Sequence, residues 1–268
     1  MPPKSPMEPT NSGTKNIRAV ERAIDVLKCF GPETPILSVT DIQHRLGLSR
    51  PTIYRLLHTL EGKGMVRSWG DPQRFELDAG VVELAGSWLG KSDITQAAQP
   101  FLSELWTETD ETVALFVRTS PKRKICVNEL RSRQPLTFTR GAGFTESTTV
   151  GSSGKIMIAF MTPDEAELAL SEINDPRARA ALDAELSDIR RDGYSMSTGE
   201  ILSGAIAIAA PVFNNDGDVA GSVCLFGPEA RLDGASRERC VKQLLKTAQK
   251  ISIAIGYRPK GRLAEAAE

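Results

Sequence analysis

With 268 residues, 40% of them hydrophobic and 25% charged, the chain has the length of two domains and a globular composition, which excludes fibrous, collagenous and wholly disordered classes. Its formal net charge of −1 neither demands nor forbids nucleic acid, because a DNA-reading unit is often joined to an acidic one. The longest apolar run, residues 204–213, falls short of the ~20 residues a membrane helix needs and residues 1–15 hold no apolar leader, so a cytoplasmic protein without a membrane partner is expected.

Residues 1–15, rich in Pro, Ser, Thr and Asn, carry too few apolar groups to offset the entropy of ordering and read as a flexible tail. The fold starts at residue 16. Ile17, Val20, Ala23, Ile24 and Leu27 recur at helical spacing until the breaker pair Gly31-Pro32. Ser38 followed by Asp41 resembles a capping box for a second helix through Leu46. Gly47-Leu48 makes a tight turn, and Ser49 caps a third helix with Pro51 in its first turn, ending near Gly62. MVRSW and RFEL read as two short strands around Gly70-Asp71-Pro72-Gln73, a hairpin wing. Residues 16–78 therefore read as a winged helix-turn-helix domain. Residues 79–92 read as a linker helix whose apolar stripe, Val81, Leu84, Ala85 and Trp88, needs a partner, from a second copy or from the rest of the chain.

Between residues 45 and 74 the chain is locally basic, with Arg45, Arg50, Arg55, Lys63, Arg67 and Arg74 against Glu61 and Asp71. At 100° per residue the third helix puts Ile53, Leu56, Leu57 and Leu60 on one face. The opposite face centres on Pro51, Arg55 and His58, flanked by Thr52, Tyr54 and Thr59. That division suits a recognition helix: the apolar stripe packs on the preceding helix while the polar groups reach base edges and phosphates. The candidates for contact with double-stranded operator DNA are Ser49, Arg50, Pro51, Thr52, Tyr54, Arg55, His58 and Thr59, with Arg67 and Arg74 reaching the backbone or minor groove from the wing.

From residue 93 to 258 the pattern is α+β: a long helix through Trp106, strands at TVALFVRT and KICVNELR, helices within 152–160 and 164–191, strands at AIAIAAPVF and VAGSVCLF, and a last helix over 236–255, before a tail at 259–268. Residues 214–218 join the last two strands as a turn, since a calcium loop would need a bidentate Glu at its twelfth position. The four cysteines, Cys29, Cys126, Cys224 and Cys240, lie far apart with no CxxC pair and read as reduced, mostly buried thiols. Ser152 and Lys155 have the Ser-x-x-Lys spacing of a hydrolase nucleophile, but the motif stands alone. No histidine follows His58, so the second domain has no imidazole for general-base work or metal ligation. No catalytic residue, metal or cofactor is expected. The small residues 151–154 instead open a helix whose free N–H groups suit an anion, with hydroxyls from Ser152 and Ser153 beside them. An ordinary N-cap with glycines for close packing is the alternative.

RAVERAIDVLKCF and LSVTDIQHRLGLSRPTIYRLLHTLEGKGMVR resemble the DNA-binding domain of IclR-type transcriptional regulators. GSSGKIMIAFM, DGYSMSTGEILSGAIAIAAPVFNNDGDVAGSV and LFGP resemble that family's GAF-like effector-binding domain. The resemblance implies a dimer or dimer of dimers that binds palindromic operators and represses or activates according to a small-molecule effector. It also implies an effector pocket lined by Ser153, Gly154, Ser197, Ala205, Ala207, Cys224 and Phe226. Members that bind small polar acids carry hydroxyls where this chain has Cys224 and Phe226, which favours an organic acid with a hydrophobic body. Core packing, the more common fate of a strand Phe, is the alternative for Phe226, and a purely structural dimerisation domain is a third reading.

Overall fold

The computed structural model describes residues 17–31, 34–89 and 93–258, in two units divided at residues 91/92. The expected tails, 1–15 and 259–268, and the Trp88 side chain lie outside the described residues.

In the first unit, α1 (Arg18–Lys28), α2 (Val39–Leu46) and α3 (Arg50–Glu61) precede the hairpin β1 (Val66–Trp69) and β2 (Arg74–Leu77), and α4 (Ala79–Leu89) closes it. The capping box at α2 forms: Ser38 Oγ accepts the Asp41 N–H at 3.2 Å, and Asp41 Oδ2 accepts the Ser38 N–H at 2.8 Å. Gly47, at φ 65°, ends α2 in the left-handed conformation that only glycine adopts cheaply. Ser49 stands before α3 but does not cap its backbone; its hydroxyl meets the Thr52 hydroxyl at 2.8 Å, and Pro51 alone provides the start signal. Ile53, Leu57 and Leu60 of α3, Ile42 of α2, Val26 of α1 and Phe75 of the wing form one buried cluster. Leu37 and Phe75 exchange two backbone hydrogen bonds at 2.9 Å, which fasten the wing to the segment before α2.

In the second unit, α5 (Asp93–Thr109) leads into β3 (Thr112–Ser120), β4 (Arg123–Leu130) and β5 (Thr145–Ser147). Then come α6 (Gly151–Ala159), α7 (Pro163–Leu170), α8 (Pro176–Asp192), β6 (Ser195–Thr198), β7 (Ala205–Phe213), β8 (Val219–Pro228) and α9 (Gly234–Ala254). The strands make one antiparallel sheet in the order β5-β4-β3-β8-β7-β6. The unit is α+β, with helices on both faces.

Successive strand side chains point to opposite faces, and here both faces are buried. Val113 and Leu115 of β3, Ile206 and Ile208 of β7, and Val223 and Leu225 of β8 pack with Leu102 of α5 and Leu244 and Ile251 of α9. Ala114 and Phe116 of β3, Ala209 of β7, and Cys224 and Phe226 of β8 pack with Ile156 and Met157 of α6 and Leu186 of α8. On that second face β7 offers Ala205, Ala207 and Ala209, where its other face offers isoleucines. Short side chains leave room between sheet and helix.

Candidate nucleic-acid interface and ligand cavity

On α3 the structure separates a buried face from a free one as the helical period requires. Pro51, Tyr54, Arg55, His58 and Thr59 are exposed, and Thr52 is half-buried. Tyr54 and His58 stack with ring centroids 6.5 Å apart. Arg55 takes part only through its carbonyl, which accepts the Thr59 hydroxyl at 2.8 Å; its guanidinium has no partner among the described residues. The other candidate cations are engaged. Arg50 donates to Thr40 Oγ1 at 2.9 Å, Arg67 pairs with Glu76 directly across the wing, and Arg74 lies 3.6 Å from Asp41. A cation committed to a carboxylate loses part of its attraction for phosphate, so Arg55 is the strongest base-reading candidate of the set.

On α4, Val82 and Leu84 are 71% and 63% exposed within this chain. The helix start is pinned at Gly80, whose N–H donates to the Gly64 carbonyl at 2.9 Å and where a Cβ would stand 2.6 Å from that oxygen.

In the second unit a cavity of about 70 Å³ opens between the start of α6 and the alanine side of β7. Ser152, Ser153, Ser197, Ala205, Ala207, Cys224 and Phe226 all line it. Gly154 does not. A Cβ there would sit 2.1 Å from the Thr148 carbonyl oxygen, so this glycine serves the close approach of α6 to the preceding turn. That turn is held by Lys124, whose side chain is 0% exposed and whose Nζ meets Glu146 Oε2 at 3.0 Å and donates to the carbonyls of Ser147 at 3.1 Å and Val150 at 2.5 Å. Burial pushes the Lys124 pKa down, while Glu146 opposes that shift.

Part of the expected anion cradle at the α6 start is already occupied, at the N–H groups of Gly151 and Ser152. Glu200 Oε1 accepts the Gly151 N–H at 3.1 Å, and Ser197 Oγ accepts the Ser152 N–H at 3.3 Å. The other Glu200 oxygen takes Lys155 Nζ at 2.8 Å, and Glu185 takes the same ammonium at 3.1 Å. Burial works against the charge on Lys155, but its hydrogen bonds to Glu200 and Glu185 prevail and raise its pKa. A lysine held protonated is no base for Ser152, whose hydroxyl lies instead 3.8 Å from Cys224 Sγ. All four cysteines are buried and unbridged, and burial lifts the Cys126 and Cys224 thiols to about 12, so neither is a nucleophile near neutral pH. Among the described residues no group of three or more His, Cys, Asp or Glu side chains is placed to hold a metal, and no helix is long and apolar enough to cross a membrane.

Sequence reasoning passed over the strap between β6 and β7, which brings Glu200, Ile201 and Leu202 to the cavity, and the segment after β4, which brings Phe138, Thr139 and Arg140. Gly199 and Gly204, both at positive φ, mark the ends of the strap and are its one local signal.

Two family models match the chain: the IclR helix-turn-helix domain over residues 19–68 and the bacterial transcriptional regulator IclR C-terminal domain over residues 86–253. The HTH-type transcriptional regulator XynR of Escherichia coli is 26% identical over 248 residues, which cover 90% of this chain and 98% of that protein. An IclR transcriptional regulator from Alicyclobacillus acidocaldarius superposes with a TM-score of 0.77 at 24% identity, covering 90% of this chain and 100% of the other. An IclR homologue from Microbacterium hydrocarbonoxydans, complexed with 4-hydroxybenzoate, superposes with a TM-score of 0.76 at 22% identity, covering 88% and 98%. At these identities the two structures speak for the fold.

Proposed function

The chain belongs to the IclR family of bacterial transcriptional regulators, and from that premise we propose that it works in the cytoplasm as a dimer or tetramer on a palindromic operator, under the control of an organic acid with a hydrophobic body. Residues 16–78 read DNA, residues 79–92 link, and residues 93–258 sense the effector. The observation that carries this reading is the cavity itself, walled by small and apolar side chains of β7 and β8 at the mouth of α6. Leu84 and Ala85, exposed within this chain on the apolar stripe of α4, supply a face for a second copy. Two copies would set two recognition helices about 34 Å apart, one turn of the duplex.

A cavity of about 70 Å³ is about half the ~150 Å³ that accepts a benzene ring. A ring-bearing acid therefore requires the 199–204 strap to give. The Microbacterium homologue's ligand makes 4-hydroxybenzoate the first compound to try, beside aliphatic acids of similar size. The test is a melting curve of the full chain against that panel. At ~100 times its dissociation constant a cavity ligand stabilises the protein by about 2.7 kcal/mol, a shift of several degrees. A panel that leaves the melting temperature untouched contradicts the organic-acid reading. Light scattering that finds a monomer, with and without DNA, contradicts the dimer.

A further inference from the structure

Of the charged side chains that line the cavity, one has no partner of opposite charge among the described residues. Glu146 lines it and is paired with Lys124 at 3.0 Å; Glu200 lines it and is paired with Lys155 at 2.8 Å. Arg140 is the only basic side chain among the described residues that line the cavity, and its guanidinium has no hydrogen-bonding or carboxylate partner among them. It lies over the Phe144 ring, 5.2 Å from the centroid. Its backbone is fixed: the buried Glu129 carboxylate accepts the N–H of Arg140 at 2.7 Å and of Gly141 at 2.9 Å. Its positive charge acts on the Cys224 thiol of the cavity wall.

A half-buried guanidinium that stays unpaired while its neighbours pair off carries a desolvation cost with no compensating anion. The end of the cavity at Arg140 thus presents an unpaired positive charge, whereas near the α6 start Glu200 and Glu185 share the one ammonium of Lys155. We propose that Arg140 is the residue that binds the effector's carboxylate, so that the cavity selects monoanionic acids over neutral molecules of the same shape. The proposal rests on the effector-cavity reading above. It relocates the anion from the helix start to the segment after β4, with Ala205, Ala207 and Phe226 left to meet the carbon skeleton. Arginine suits the task, because its planar fork meets both carboxylate oxygens and a backbone already fastened at Glu129 loses little freedom on binding.

The test is calorimetric titration of the full chain with benzoate, phenylacetate and hexanoate, each against its primary amide, in the native protein and in Arg140→Met, Arg140→Lys and Ala207→Leu. The proposal expects at least one acid to bind and its amide to bind at least about 10-fold more weakly. It expects Arg140→Met to weaken the acid about 10- to 100-fold, Arg140→Lys to keep part of the affinity, and Ala207→Leu to block it. An unligated melting curve establishes that each variant folds; should Arg140→Met fail, Arg140→Lys together with the acid-to-amide ratio decides. An acid that binds the Met variant as tightly as the native protein, or an amide that matches its acid, overturns the role of Arg140 and leaves the cavity reading standing. If neither acids nor amides bind the native protein, the cavity reading falls and this proposal with it.

Discussion

Glu200 Oε1 accepts the Gly151 N–H at 3.1 Å, so the first N–H of α6 is met by a carboxylate from the strap between β6 and β7. The second oxygen of that carboxylate meets Lys155 at 2.8 Å. Glu200 is partly exposed, which limits the contribution to that of a capped, charge-assisted contact, about 1 kcal/mol. Glu200→Ala should therefore lower the melting temperature by about 2–4 °C. A variant that melts with the native protein would show that the contact does not hold the strap.

Gly154→Ala tests packing rather than ligand binding. Its Cβ would meet the Thr148 carbonyl oxygen at 2.1 Å and the Thr148 Cα at 2.8 Å, both backbone atoms that the buried Lys124 helps to fix. Overpacking of this kind costs about 1–3 kcal/mol. Urea unfolding should show a lower midpoint for Gly154→Ala; an unchanged midpoint would mean that the α6 start moves freely.

Among the DNA candidates the structure predicts an order. Arg55→Ala removes an uncommitted guanidinium and should cost about 1–3 kcal/mol of operator binding, with relaxed preference at one base step. Arg67→Ala also releases Glu76 from its partner across the wing, so its loss should be smaller and uniform across sequences. Gel-shift titrations on matched and mismatched duplexes measure both. Equal losses, or a larger one for Arg67, would move the groove contact from α3 to the wing.

Asp41 gives the winged helix-turn-helix a signature in acid. Hydrogen bonds from the Ser38 hydroxyl and backbone N–H hold its pKa below the usual 3.8. A carboxyl whose folded pKa is depressed contributes stability above its unfolded pKa and loses it as the pH falls through the folded value. Asp41→Asn should cost about 1 kcal/mol near neutrality, and the gap from the native protein should close below about pH 4. Urea midpoints of both proteins across that range test it; a constant gap would separate the cap from the charge.

Where local chemistry decides, the sequence was readable. Ser38 and Asp41 three residues apart formed their reciprocal cap, Gly47 turned left-handed, and the 3.6-residue period sorted Ile53 and Leu57 from Arg55. Short polar strands were not readable: β5 and β6 are three and four residues long, and their polar and small side chains carry no alternation. The break between α7 and α8 did have a local mark, Asp175-Pro176, since Asp175 caps and Pro176 opens the second helix. Lys124 shares the buried face of β4 with Cys126, and its residue type gives no warning of a buried ammonium. The charges of the cavity were the least legible. Glu200 meets Gly151 across 49 positions and Lys155 across 45, and only the folded sheet reveals that Arg140 lines the cavity with no carboxylate partner among the described residues.

The central claim is that occupancy of the cavity changes how α3 holds DNA. The direct measurement is fluorescence anisotropy of the full chain on a duplex enriched from a random pool, with and without an acid that shifts its melting curve. The account predicts a duplex with two-fold symmetry, half-sites one helical turn or a multiple of it apart, and an affinity that changes by at least about 5-fold when the acid is saturating. Failure to enrich any duplex, or an affinity indifferent to an acid that demonstrably fills the cavity, would contradict it.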